Sequence, residues 1–165
     1  MLTPSDRVVV RDLASSDEVE IVTSPAPTDY ASPSAVSWAG YSDSGALFAL
    51  TVDGDLRAID PAGSSVLQDH PVVASAVDGF PVGVLGESVL VNVTGDEGAV
   101  ELFSIDTTTG DRSLLASSER FFDIGVDPES GAVLAAGFGE ITAEAGAPVT
   151  VLEVPDGWFV SALDW

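Results

Sequence analysis

The sequence Phe-Ser-Ile-Asp-Thr-Thr-Thr-Gly-Asp-Arg-Ser-Leu-Leu at residues 103–115 decides the fold class. A related stretch, Arg-Ala-Ile-Asp-Pro-Ala-Gly, occupies residues 57–63, and a looser copy surrounds Asp12. Each copy predicts a strand, a tight turn that starts at an aspartate, and a returning strand. The three aspartates, Asp12, Asp60 and Asp106, are 48 and 46 residues apart. A period of that length made of short strands is typical of repeated β-sheet units.

Short apolar or alternating runs fill the rest of the chain, and they are bounded by Gly, Pro, Asp and Ser. No window shows the apolar spacing of a helix over several turns, so the chain is predicted to be all-β. We expect one domain over 1–165, in which a partial unit at 1–23 precedes three four-stranded units at 35–70, 75–118 and 120–165.

Four local expectations follow from the same pattern. Asp53-Gly54 predicts a two-residue type I′ hairpin turn. A fourth strand of its unit is expected at Ser64–Gln68, and an irregular connection at 139–147. The last strand is expected at Trp158–Leu163.

Composition limits the classes of protein to which this chain can belong. It has 165 residues, of which 45% are hydrophobic, so it can bury a sizeable core. It has no cysteine, which excludes disulfides, zinc ribbons, iron–sulfur clusters and thiol nucleophiles. No apolar run reaches the length of a transmembrane helix, and the first residues lack the pattern of a signal peptide.

Charge is the strongest compositional bias. The chain has 27 acidic and 5 basic residues, all five of them arginine, and its formal net charge is −22. A surface this negative repels phosphate backbones and anionic lipids, so neither nucleic-acid binding nor membrane insertion is expected. Basic partners and divalent cations are attracted without specificity.

Several turns resemble those of β-propeller blades of the WD40-like and TolB-like kind. The matching pieces are Asp-Ser-Gly-Ala-Leu-Phe-Ala at 43–49, Asp-Pro-Glu-Ser-Gly-Ala-Val-Leu-Ala at 127–135, and Asp-Thr-Thr-Thr-Gly at 106–110. Val-Ser-Trp at 36–38 and Val-Ser-Ala-Leu-Asp-Trp at 160–165 are similar to the innermost strand of such blades. The Gly-His and Trp-Asp signature of WD40 repeats is missing.

The resemblance implies a propeller, or a propeller segment, of about three blades plus an N-terminal hairpin. Closed propellers have four to eight blades. The chain is therefore expected to complete a propeller with a protein partner or by self-association. A β-sandwich of similar strand content is the alternative architecture.

Residues with catalytic chemistry are few. His70 is the single histidine, and its place before Pro71 predicts a solvated loop side chain rather than a base. Asp53-Gly54-Asp55 could offer oxygen ligands to calcium, but it lacks the pattern of an EF-hand. Trp38, Trp158 and Trp165 are expected to pack between blades. No catalytic residue, metal site or cofactor is predicted, and no ligand-binding residue can be named.

The favoured function is a non-enzymatic propeller scaffold that mediates protein or ligand binding. The alternative is a lactonase- or glycosidase-like hydrolase with carboxylates and calcium in a propeller channel. If Met1 is the natural start, a cytoplasmic location is expected. Otherwise the chain could be the extracellular part of an anchored protein.

Overall fold

The structure is a computed structural model that describes residues 6–24, 32–95, 99–119, 122–127, 132–137 and 140–153. Every regular element in these ranges is a β-strand, apart from one turn of 3₁₀-helix, so the prediction of an all-β chain is confirmed. The chain forms two compact units, Met1–Asp78 with Thr107–Thr109, and Gly79–Asp106 with Gly110–Trp165. The unit boundaries expected from the sequence stay predictions.

The first unit contains a two-stranded and a four-stranded sheet, both antiparallel. The hairpin pairs β1 with β2, and the larger sheet has the order β3-β4-β5-β6. Their bounds are β1 (Arg7–Arg11), β2 (Glu18–Val22), β3 (Val36–Tyr41), β4 (Leu47–Thr51), β5 (Leu56–Ile59) and β6 (Val72–Ala74). A 3₁₀ turn at Leu67–Asp69 lies between β5 and β6.

The hairpin and the four-stranded sheet share a hydrophobic core. Val8 and Ile21 of the hairpin belong to the same buried cluster as Leu47 and Ala49 of β4. All five residues of β4 are buried, including Phe48 on its other face. A strand that is covered on both faces is expected to have a continuous apolar sequence. Residues 47–50, Leu-Phe-Ala-Leu, have such a sequence.

The second unit contains a five-stranded sheet of order β13-β10-β9-β8-β7 and a three-stranded sheet of order β11-β12-β14. The bounds are β7 (Phe80–Leu85), β8 (Ser88–Thr94), β9 (Val100–Asp106), β10 (Arg112–Ser118), β11 (Phe122–Asp127), β12 (Ala132–Gly137), β13 (Ile141–Ala143) and β14 (Val149–Glu153). One buried cluster joins the two sheets, with Leu90 and Leu102 from the first and Val133 and Ala135 from the second. None of the four sheets closes on itself within the described residues.

Three details of strand order correct the sequence-based expectation. No strand forms at Ser64–Gln68, and the fourth strand of that sheet is β6. The connection at 139–147 contains β13, which pairs with β10. Strand β14 runs parallel to β12 instead of continuing a meander. The strand expected at Trp158–Leu163 lies outside the described residues.

The turn between β4 and β5 also differs from the expected type. A type I′ turn needs positive φ at both central residues, but of Asp53 and Gly54 only Gly54 has it, at +87°. Gly54 donates its N–H to the Thr51 carbonyl at 3.0 Å, and Thr51 donates to the Asp55 carbonyl at 3.0 Å. The connection is therefore a three-residue loop that ends in a left-handed glycine.

Two copies of the repeated pattern have the same turn. In the first copy Asp12 donates to Asp17, and Ser16 donates back to Asp12. In the third copy Asp106 donates to Asp111, and Gly110 donates back to Asp106. The second copy differs, because Gly63 donates to Asp60 and the chain then enters the 3₁₀ turn.

Candidate functional site

His70 is a buried structural residue, which corrects the expectation of a solvated loop side chain. It is 5% exposed. The backbone N–H of Asp60 donates to Nδ1 at 3.3 Å, and Nε2 lies 2.8 Å from the Ser64 carbonyl oxygen. Because Nδ1 accepts a hydrogen bond, the hydrogen belongs on Nε2 and is donated to Ser64. Both ring nitrogens are thus used to hold the segment between β5 and β6.

Arg57 fixes the same segment from the other side. Its Nη1 donates to the carbonyl oxygens of Gln68 and His70 at 3.1 and 2.9 Å. Its Nη2 pairs with Asp55 Oδ2 at 2.8 Å, and Ser75 donates to Asp55 Oδ1 at 2.9 Å. The guanidinium therefore holds the backbone of the 3₁₀ turn and of the residue that follows it, and the geometry gives it a structural role.

Both carboxylates of the acidic turn at 53–55 accept hydrogen bonds from nearby side chains. Thr51 Oγ1 donates to Asp53, and Asp55 binds Arg57 and Ser75. In the part of the chain that the structure describes, no three His, Asp or Glu side chains are grouped so that they could hold a metal ion.

Trp38 is the tryptophan that lies within the described residues. Trp38 is half-buried on β3, and its ring lies against Gly40, where an added Cβ would be 2.5 Å from Cζ2. Trp158 and Trp165 lie outside the described residues.

The β1–β2 hairpin is largely exposed. Every residue from Arg11 to Glu20 is exposed. Three apolar side chains are exposed on it, with Val9 at 49%, Leu13 at 92% and Val19 at 39%. A lone two-stranded sheet is marginally stable, so a hairpin with this much open surface is a candidate interaction element.

One edge of the hairpin has open backbone. Asp12 donates to Asp17 and Thr23 donates to Asp6, so the even-numbered residues of β1 direct their N–H and C=O groups toward β2. Val9 and Arg11 direct theirs to the opposite side, where the described residues supply no strand. The other edge is partly covered, because Val22 of β2 donates to the Ser65 carbonyl at 2.8 Å.

Ion pairs cover the outward face of the hairpin. Arg11 Nε donates to Glu18 Oε1 at 2.6 Å, and Arg7 bonds Asp6 at 2.9 Å and Glu20 at 3.2 Å. The hydrogen bond and charge of Arg7 lower the pKa of the Asp6 carboxyl below its usual range. Each of these two arginines is therefore neutralised by carboxylates of its own hairpin.

The turn aspartate of the hairpin is also perturbed. Asp12 Oδ1 accepts the backbone N–H of Ala14 at 2.7 Å and of Ser15 at 3.3 Å. These two hydrogen bonds favour the ionised form and lower the pKa of Asp12. The aspartate that marks each repeat thus acts as a backbone acceptor in this copy.

The chain matches no protein-family model, no curated protein and no solved structure. None of the helical structure within the described ranges has the length and hydrophobicity required to cross a bilayer.

Proposed function

We propose that this chain is a non-enzymatic binding scaffold of the β-propeller type, in which the β1–β2 hairpin is an incomplete blade. A strand supplied by a protein partner or by a second copy would complete it. The observation that carries the proposal is the open edge of β1 at Val9 and Arg11, in a hairpin whose residues Arg11–Glu20 are all exposed.

Support for blade-like units comes from two antiparallel meanders. Strands β3 to β6, and β7 to β10, pair in chain order. In each meander the second strand, β4 or β8, has at least four consecutive buried residues. A sheet buried on both faces is expected when sheets stack.

A β-sandwich is the alternative architecture, and it also has support. The five-stranded and three-stranded sheets of the second unit enclose one core. The parallel pairing of β12 with β14 departs from a blade meander. In the described residues no strand other than β2 pairs with β1, and this observation does not depend on which of the two architectures is correct.

The proposal is tested by amide hydrogen exchange together with light scattering over a range of protein concentrations. In dilute monomer, the amides of Val9 and Arg11 should exchange faster than those of Val8 and Val10. If light scattering shows self-association, the Val9 amide should become protected as the mass increases. A Val9 amide that is as protected as that of Val10 in dilute monomer would contradict the open edge.

A further inference from the structure

We propose that the outer edge of β1 binds an extended, lysine- or arginine-bearing segment of a partner protein by strand addition. This inference rests on the proposed binding function and names the surface and the chemistry of the partner. The surface, called the β1 edge below, consists of Val9 and Arg11 with the exposed turn residue Leu13 beside it.

The backbone of the β1 edge is ready for a further antiparallel or parallel strand. Val9 and Arg11 each present a donor and an acceptor that β2 does not use. Edge strands that stay unpaired in solution are usually protected by charged side chains, proline, a bulge or a short length. Strand β1 pairs with β2 without a register shift and contains no proline, and its two arginines pair with carboxylates of β2.

The side chains around this edge offer apolar contact to a bound strand. Val9 is half exposed at the centre of β1, and Leu13 is almost fully exposed at the tip. In strand addition the main chain supplies the hydrogen bonds, and alternate side chains supply the contacts that select the partner. A β-branched or other apolar residue opposite Val9 would cover it.

Charge selects a basic partner. The hairpin carries five carboxylates from Asp6 to Glu20 against the two guanidiniums of Arg7 and Arg11. Both arginines already pair with carboxylates, whereas Asp12 and Asp17 have no ion pair among the described residues. The net charge of −22 adds a long-range field that draws basic segments toward the hairpin.

A second copy of this chain is a poorer occupant. Two chains that each carry −22 repel each other at long range, whereas a basic segment is attracted.

The probe is a blocked seven-residue peptide in which lysine and valine alternate, with a glutamate–valine peptide of the same length as control. Binding is followed by NMR shifts and hydrogen exchange of the Val9 and Arg11 amides. The lysine peptide should protect both amides, with an affinity that falls as salt is raised. The glutamate peptide should not bind.

Two variants at one position separate strand addition from charge attraction. Val9→Pro removes an N–H that β2 does not use, whereas Val9→Thr keeps it. Val9→Thr should bind the lysine peptide as the parent does, and Val9→Pro should bind about tenfold more weakly, since a lost ladder bond and the proline ring oppose pairing. Slow hydrogen exchange of the Val8 and Val10 amides, as in the parent, shows that the Val9→Pro hairpin is folded.

Asp17→Lys tests the charge argument without touching the backbone of β1. It changes an exposed side chain that forms no ion pair in the described residues, and it should weaken the lysine peptide several-fold. Equal binding of the lysine peptide to Val9→Pro and Val9→Thr would overturn strand addition. Binding of the glutamate peptide alone, or dimerisation through the Val9 amide, would overturn the basic partner but leave the proposed binding function standing.

Discussion

At the residue scale, Asn92 stands out because its side-chain oxygen is buried without a partner. It lies on β8, is 8% exposed, and its Oδ1 accepts no hydrogen bond in the structure as described. It shares a sheet face with Leu90 and Leu102, which belong to the core of the second unit. A buried acceptor that loses water and gains no donor lowers stability by about 1–3 kcal/mol.

Asn92→Leu should therefore stabilise the protein, by about 1 kcal/mol, because leucine has the same branched shape and no polar atoms. Asn92→Asp should destabilise it by several times that amount, since it places a carboxylate at the same buried position. The measurement is the free energy of unfolding in urea. A stabilising Asn92→Asp would mean that Oδ1 faces a donor or a cation.

Ser16 and Gly110 occupy the same position in two turns of identical hydrogen bonding, yet only one of them is glycine. Ser16 has φ +65° and Gly110 has φ +77°. A left-handed conformation costs a non-glycine residue about 1–2 kcal/mol. The backbone of Ser16 is therefore strained, and the glycine at the equivalent position of the other turn indicates the substitution that would relieve this strain.

Ser16→Gly should stabilise the β1–β2 hairpin by about 1 kcal/mol, after allowing for the greater flexibility of glycine in the unfolded chain. Gly110→Ala is the reciprocal control and should destabilise by a similar amount. Hydrogen exchange at Val8 and Val10 reports the hairpin, and urea unfolding reports the whole chain. A Ser16→Gly variant with a weaker hairpin would show that the serine side chain is needed.

At the element scale, the loop between β4 and β5 is held down by the segment that follows β6. Val77 donates to the Gly54 carbonyl at 2.9 Å, and Ser75 donates to Asp55. A Cβ on Gly54 would lie 2.9 Å from both the backbone nitrogen and the carbonyl oxygen of Val77. The loop therefore needs glycine for space as well as for its φ.

Gly45 provides a matched comparison for Gly54. Its φ is +83°, its turn has the same two backbone hydrogen bonds, and no atom lies within 4 Å of an added Cβ. Gly45→Ala should lower stability by about 1–2 kcal/mol for φ alone. Gly54→Ala should lose about 1–3 kcal/mol more, because the Val77 backbone must move. Equal losses in urea unfolding would contradict the close approach.

The turn of the hairpin should respond to acid. The folded-state pKa of Asp12 lies below its ordinary value of 3.8, so its stabilising effect is fully present above that pH. The effect is lost as pH falls through the folded-state pKa, because protonation weakens the bonds from Ala14 and Ser15. In an NMR titration, the amide shifts of Ala14 and Ser15 should stay constant above pH 3.8 and change at lower pH. Asp12→Asn should remove this acid-induced change at both amides.

At the scale of the whole molecule, the excess of 22 negative charges acts on every folded conformation. Among the described residues, Arg7, Arg11 and Arg57 pair with acids. Because the chain has 27 acidic residues and 5 basic ones, arginine pairing leaves most of its negative charge uncompensated. Repulsion among exposed charges destabilises the compact state and is screened by salt.

Sodium chloride should therefore raise Tm by several degrees, where about 3 °C corresponds to 1 kcal/mol for a chain of this size. Calcium and magnesium at equal millimolar concentration should raise Tm equally, because both act by screening. A much larger rise with calcium would favour the hydrolase alternative, which stays a prediction.

Much of the local strand pattern was predictable because alternation and turn chemistry are local properties. Strands β8 and β12 coincide with largely apolar runs of the sequence, and Gly86-Glu87, a pair typical of a tight turn, connects β7 to β8. The candidate site was predictable in part. The sequence predicts a hairpin that lacks further strands, but which of its edges is open depends on the register and on the contact of Val22 with Ser65.

Local sequence pattern was sufficient to predict an all-β chain of hairpins with turns at aspartate and glycine, and composition alone gives the formal net charge of −22. Tertiary structure decided which segments pair across long separations. It placed β6 rather than 64–68 at the sheet edge, paired β13 with β10, and set β14 parallel to β12. Tertiary packing also buries His70. The physical reason is that the partners of a strand edge or of a ring nitrogen depend on how separate segments pack together, and local alternation and turn patterns do not encode that packing.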